Sequence, residues 1–208
     1  MKPKEPGPVK LIVGVLYSDE GLLERGLILL SEIYGPLDYR SPAFPFDRTD
    51  YYVPEMGCPI FRIFVSHERL IHPGDLARIK IETNAMEEKL AVAEFPNASG
   101  RFRNLPEASS QNLPERSENL PEVPLRRQVN FDPGYMDYDK FVLASAKYNG
   151  QKIYLDCGIW ADLTLHYEKG RFDPYPWSFP DFKSGLYQEV FQEIRARFKA
   201  QRNAQLSV

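Results

Sequence analysis

Hydrophobic residues follow strand-like and then helix-like spacing along the first part of the chain. Residues 9–17 are almost continuously apolar, which is typical of a strand buried on both faces. Leucine and isoleucine then recur at helical spacing from Leu22 to Tyr34, after Ser18 as an N-cap and before a Gly-Pro stop. The chain is therefore predicted to open with a strand and a helix.

The same two spacings continue through most of the remaining sequence. Ahead of a long polar segment they predict an extended stretch broken by proline at 37–46, a strand at 60–65 and a helix at 73–92. After it they predict a short strand at 126–131 with a turn at 132–135, a helix at 138–148, strands at 152–156, 159–167 and 171–175, and a closing helix at 184–202. This order predicts an α+β fold in which helices pack on a mixed or antiparallel sheet, compatible with a ferredoxin-like first half.

The polar segment differs in character from the rest of the chain. Asn-Leu-Pro-Glu occurs there at 104–107, 112–115 and 119–122. Proline at this spacing prevents a continuous helix, and the few apolar residues cannot offset the entropy lost on ordering. Residues 97–124 are therefore predicted to be a disordered insert.

The insert separates two parts of what we expect to be one domain. Residues 1–96 and 125–208 each supply strands and helices, so we predict one α+β domain that could divide into two lobes.

Composition excludes several classes of protein. Hydrophobic residues make up 43% and charged residues 26% of the chain, as in ordinary globular proteins. The net charge of −3, without a basic cluster, argues against a nucleic-acid partner. The N-terminus lacks the apolar run of a signal peptide, and two cysteines without a spacing pattern fit a reducing compartment. We therefore expect a cytoplasmic protein without a nucleic-acid or membrane partner, and the oligomeric state stays open.

Several uncommon strings occur together in one order. They are PFDRTDYYVPEMG at 45–57, IKIETNAMEEKLA at 79–91, VNFDPGYMDYDKFVLASAK at 129–147, IYLDCGIWADLTLHY at 153–167 and YPWSFPDF at 175–182. With these strings the chain resembles a bacterial family catalogued as domain of unknown function 4416, over nearly its whole length outside the insert. The family is uncharacterised, so the resemblance implies no activity. Its members carry a His-Arg pair before the IYL strand where this chain has Gln151-Lys152, so no histidine role is transferred.

The first candidate site is an acidic, aromatic loop after the second extended stretch. Asp47 and Asp50, together with the more distant Asp132, could hold a divalent cation such as magnesium through carboxylate oxygens. Alternatively, Asp47 forms an Asx-turn and the neighbouring tyrosines pack on the core.

The second candidate lies on the long helix. Lys80, Asn84 and Glu87 fall between two apolar stripes of its helical wheel, so they could face a seam in the protein. Lys80 and Asn84 would then bind an anionic or amide-bearing ligand. The alternative is a Lys–Glu pair on a solvated shoulder of the helix.

The third and richest candidate surrounds the predicted turn. It comprises Arg127, Asn130, Asp132, Tyr135, Lys140 and Lys147. Arginine and lysine here could grip a phosphate or carboxylate, and Asp132 could act as a base or a metal ligand. The alternative is a structural turn in which Asp132 caps the following helix.

Common catalytic motifs are absent from the sequence. It contains neither a Gly-x4-Gly-Lys-Ser/Thr phosphate loop nor a Gly-x-Ser-x-Gly elbow, and its histidines lack zinc-site spacing. We expect a protein that binds a small anionic ligand, either a nucleotide or a phosphorylated metabolite. One alternative is metal-assisted phosphoryl or nucleotidyl transfer, which requires convergent carboxylates. The other is a non-enzymatic adaptor or assembly protein, which an exposed aromatic patch without a polar-lined pocket would favour.

Overall fold

A computed structural model describes residues 2–93 and 125–206, so the predicted insert at 97–124 lies outside the described residues. The helices are α1 (Glu20–Tyr34), α2 (Val53–Met56), α3 (Leu76–Leu90), α4 (Pro180–Lys183) and α5 (Gln188–Leu206). The strands are β1 (Val9–Tyr17), β2 (Leu37–Arg40), β3 (Phe44–Pro45), β4 (Phe61–Ile71), β5 (Val92–Ala93), β6 (Leu125–Arg126), β7 (Val129–Met136), β8 (Lys140–Ser145), β9 (Ile153–Asp156), β10 (Ile159–Glu168) and β11 (Arg171–Pro174).

Nine of these strands form one antiparallel sheet. Its order is β11-β10-β8-β7-β1-β4-β2, while β3 pairs with β4 and β9 pairs with β10. Within it, β7-β1-β4-β2 together with α1 and α3 have the order and direction of a ferredoxin-like β-α-β-β-α-β unit. The predicted α+β class is confirmed, as is the antiparallel meander formed by the later strands.

Helices cover both faces of the sheet. Helices α1 and α3 pack on one face around Val13 and Phe131, whereas α4 and α5 pack on the other around Ile12 and Phe64. Because consecutive residues of a strand point to opposite faces, β1 must be apolar at nearly every position. This explains its continuous hydrophobic run.

The predicted turn at residues 132–135 is wrong, because β7 continues through it to Met136. The N–H groups at alternate positions point to the same side of a strand. The Phe131 N–H donates to a side chain of α3, because no strand of the described residues lies on that side of this part of β7. The backbone nitrogen of Pro133 faces the same side. Its missing N–H therefore breaks no hydrogen bond between strands. Gly134 is required because a Cβ atom there would lie 2.5 Å from the carbonyl oxygen of Val142.

The predicted helix at residues 138–148 is also wrong, since residues 140–145 form β8. Phe141 and Leu143 face the α5 side of the sheet, while Val142 and Ala144 pack beside α3. A strand covered on both faces has a short continuous apolar run, which periodicity alone does not distinguish from a buried helix.

Two smaller differences concern the first helix and its surroundings. Asp19, not Ser18, caps α1, because its carboxylate accepts a 2.8 Å hydrogen bond from the Leu22 N–H. Ser18 instead donates to the carbonyl oxygen of Met56 at 2.6 Å.

None of the helices in the described residues combines the length and apolar character needed to cross a membrane.

Candidate functional site

A cavity of about 1060 Å³ opens where β7 and β8 diverge. The two strands pair only between residues 134–136 and 141–143, so the first half of β7 has no strand partner on that side. Side chains of α3, the loop around α2, the end of β8 and the segment before α4 line the space. Its volume is at or above the upper end of the usual range for small-molecule pockets, about 300–1,000 Å³.

Helix α3 supplies the hydrogen bonds that a neighbouring strand would otherwise give to Phe131. The Glu87 carboxylate accepts the Phe131 N–H at 2.7 Å, and the Lys80 ammonium donates to the Phe131 carbonyl at 2.6 Å. Both side chains are buried, with Glu87 only 2% exposed. Burial raises the pKa of Glu87. These contacts keep β7 ordered beside an open cavity.

Asp132 projects into the cavity between two cations. One Asp132 oxygen lies 3.5 Å from the Arg62 guanidinium, and the other lies 3.9 Å from the Lys80 ammonium. Arg62 is itself buried, also pairs with Asp181, and lies 4.6 Å above the Phe46 ring. The cavity is thus lined by a largely buried network of charged side chains.

Three further ion pairs belong to the wall. Arg127 bridges Glu87 and Glu55, the latter at 2.9 Å. Lys152 and Asp162 lie 3.4 Å apart, both buried. Burial raises the pKa of Asp162, against the opposing effect of Lys152.

Three donors in the wall have no acceptor among the described residues. They are Asn130 Nδ2, Arg62 Nε and Arg127 Nε. Asn130 is only 4% exposed, yet it lines the cavity. Leaving a buried donor unpaired costs about 1–3 kcal/mol, so an acceptor that enters the cavity would be favoured.

The cavity brings together five of the seven predicted ligand-binding residues. They are Lys80, Asn84, Arg127, Asn130 and Asp132. Tyr135 is absent from the lining, because it lies three residues from Asp132 along a strand and therefore points to the opposite sheet face. Lys140 is also absent, and it pairs with Asp137 at the start of β8.

The predicted metal ligands are not brought together. Asp132 lines the cavity, whereas Asp47 and Asp50 are exposed in the loop between β3 and α2 and do not line it. Asp47 lies 3.7 Å from Arg48. Across the described residues no three His, Cys, Asp or Glu side chains are grouped as a metal site would require.

Sequence reasoning missed Arg62 and Asp181, and also the pair of Lys152 and Asp162. Arg62 and Asp162 did carry a signal, since each interrupts an otherwise apolar strand sequence, IFRIFV and IWADL. A charge at such a position is seldom buried unless it is paired. Asp181 and Lys152 carry no comparable local signal.

Comparison with known proteins identifies a family. A family model described as "Domain of unknown function (DUF4416)" matches residues 7–95 and 109–198. No curated protein and no solved structure matches the chain.

Proposed function

This chain belongs to the family described as domain of unknown function 4416, and we propose that it binds a small anionic ligand, a nucleotide or phosphorylated metabolite, in the cavity between β7, β8 and α3. The observation that carries the proposal is the unpaired amide donor of Asn130, which is buried in the cavity wall. Phosphate and carboxylate oxygens are strong acceptors for such a group. Arg62 Nε offers a second donor from β4, which is separated from β7 by β1.

The charges of the cavity balance, so its unpaired donors rather than its net charge favour an anion. Six basic and six acidic side chains line it, and five of the acids already lie within 4.0 Å of a basic group. Two exposed side chains of the lining, Lys147 and Glu88, have no group of opposite charge within that distance among the described residues.

The polar lining also favours a ligand-binding role over the adaptor alternative. An adaptor would be expected to expose apolar surface without a chemically equipped pocket, whereas this cavity has buried charges and unpaired donors. We further expect the protein in the cytoplasm, because Cys58 and Cys157 are both exposed free thiols.

Calorimetric titration and thermal denaturation with ribose 5-phosphate and nucleoside phosphates test the proposal. A bound ligand should raise the midpoint of unfolding. Asn130→Asp nearly preserves the side-chain shape but replaces the donor with an acceptor, so it should weaken binding about tenfold or more.

Asn203→Asp is the matched control, because Asn203 is exposed on α5 and does not line the cavity. It should bind as the wild type does. If no sugar phosphate or nucleotide binds, or if both substitutions weaken binding equally, the proposal is contradicted.

A further inference from the structure

Four aromatic side chains that line the cavity are exposed. Tyr51, Tyr148, Trp177 and Phe179, here called the aromatic rim, are 62%, 70%, 41% and 53% exposed. These rings form part of the solvent-exposed lining, whereas Arg62, Glu87 and Asp162 are buried. Exposed aromatic side chains that cluster at the entrance of a polar cavity are typical of a binding surface.

Trp177 is held in a fixed orientation. Its indole N–H donates a 2.8 Å hydrogen bond to the carbonyl oxygen of Leu163. Its ring stacks on Tyr175 with the centroids 5.0 Å apart and the planes only 8° from parallel. Because Tyr175 covers one face, the exposed area of Trp177 belongs to the other face and the ring edge. A second planar ring can stack there without first ordering the tryptophan.

Another part of the rim combines a ring with a positive charge. The Lys147 ammonium lies 4.2 Å from the centroid of the Tyr51 ring and donates to its hydroxyl group. Tyr52 supports Tyr51 from the side, with the centroids 5.0 Å apart and the planes 84° apart. This part of the opening can contact both an aromatic ring and an anion.

We infer that the ligand is a nucleoside phosphate, whose base stacks on the aromatic rim at Trp177 while its phosphate accepts hydrogen bonds from Asn130 and Arg62. The inference rests on the proposed anion binding and adds the class of compound. A sugar phosphate would use the interior donors but leave the rim exposed to water. The cavity, at about 1060 Å³, has room for a base, a ribose and a phosphate.

Calorimetry that compares adenosine and cytidine 5′-monophosphates with ribose 5-phosphate tests this inference. Because stacking depends little on base identity, both nucleotides should bind about tenfold or more tightly than ribose 5-phosphate. Trp177→Leu should remove most of that advantage and leave the affinity for ribose 5-phosphate nearly unchanged. Tyr154→Leu is the control, since Tyr154 is 53% exposed but lies outside the cavity lining.

Phe179→Leu provides a second variant in case Trp177→Leu, which loses the bond to Leu163, fails to fold. It should reduce nucleotide affinity selectively too. If ribose 5-phosphate binds as tightly as the nucleotides, or if neither folded rim variant discriminates, the inference is overturned while the proposed anion binding stands. If none of the three compounds binds, both fall.

Discussion

The Lys80 ammonium donates a 2.6 Å hydrogen bond to the carbonyl oxygen of Phe131, which ties α3 to the unpaired edge of β7. In most sheets a neighbouring strand would provide this bond. Here a helix side chain takes its place, and the sheet can part beside it without leaving the backbone unsatisfied. The candidate site depends on this replacement of a neighbouring strand by the Lys80 side chain.

Lys80→Met should therefore destabilise the protein. The methionine fills a similar volume but leaves the Phe131 carbonyl unpaired and removes a cation beside Glu87 and Asp132. We expect a loss of about 1–3 kcal/mol in the free energy of unfolding, measured in urea. Lys89→Met, at an exposed position of the same helix, should have little effect. Equal losses in the two variants would contradict the role assigned to Lys80.

Gly134→Ala should weaken the junction of β7 and β8. The new Cβ atom would meet the Val142 carbonyl at 2.5 Å and the Phe141 ring at 2.8 Å. Relief requires backbone movement, so we expect a cost of about 1–3 kcal/mol. Gly150→Ala is the matched control, because a Cβ there has no neighbouring atom within 4 Å. Chemical denaturation of both variants measures the difference, and a harmless Gly134→Ala would refute the close approach.

Removing one member of the buried Arg62–Asp181 pair should be more harmful than removing both. Arg62→Met leaves the Asp181 carboxylate buried without its cation and should cost about 3–5 kcal/mol. The double variant Arg62→Met/Asp181→Leu should recover part of this loss in the same denaturation experiment. Arg171→Met, which breaks an exposed pair, should change stability little. A double variant no more stable than Arg62→Met would contradict the argument.

Glu87 should make stability depend on pH in a definite direction. Burial raises its pKa in the folded protein above the ordinary value of 4.5. Between 4.5 and that raised value the folded protein retains a proton that the unfolded chain releases, so this contribution falls as pH rises.

The measurable consequence is a change in stability relative to Glu87→Gln. As the pH rises from 4.5 through the raised pKa of Glu87, the wild type should lose stability relative to this variant. Glu88→Gln, at an exposed neighbouring position, should show no such trend. An opposite slope for Glu87→Gln would mean that the ion pairs with Arg127 and Lys80 outweigh burial.

The residues on either side of the segment 94–124 lie next to each other. Val92 pairs with Arg126 and Ala93 with Leu125 in a small antiparallel ladder. Residues 94–124 could therefore be replaced by Asn-Gly, which favours the tight turn of a two-residue hairpin. We expect the shortened protein to unfold cooperatively at nearly the wild-type temperature, as measured by calorimetry. A large fall in that temperature would show that the removed residues contribute to stability.

Sequence patterns predicted the elements in which local and global preferences agree. Strand β1 has an apolar residue at nearly every position because both its faces are covered, and α1 has an amphipathic stripe followed by a Gly-Pro stop. The main apolar stripe of α3, from Leu76 to Leu90, is buried as predicted. Helical geometry places Lys80 and Glu87 between the two apolar stripes of α3, and both residues are buried.

The sequence by itself determined the α+β class, the antiparallel strands of the last third and the approximate location of five residues that line the cavity. Only the tertiary structure decided that Asp132 and Pro133 belong to a strand. Proline is tolerated there because, among the described residues, this edge of β7 has no partner strand that would need an N–H from residue 133. It also decided that Arg62 and Asp181, 119 positions apart, share the site with them. Such pairings arise from the packing of distant elements, and no local propensity or spacing encodes them.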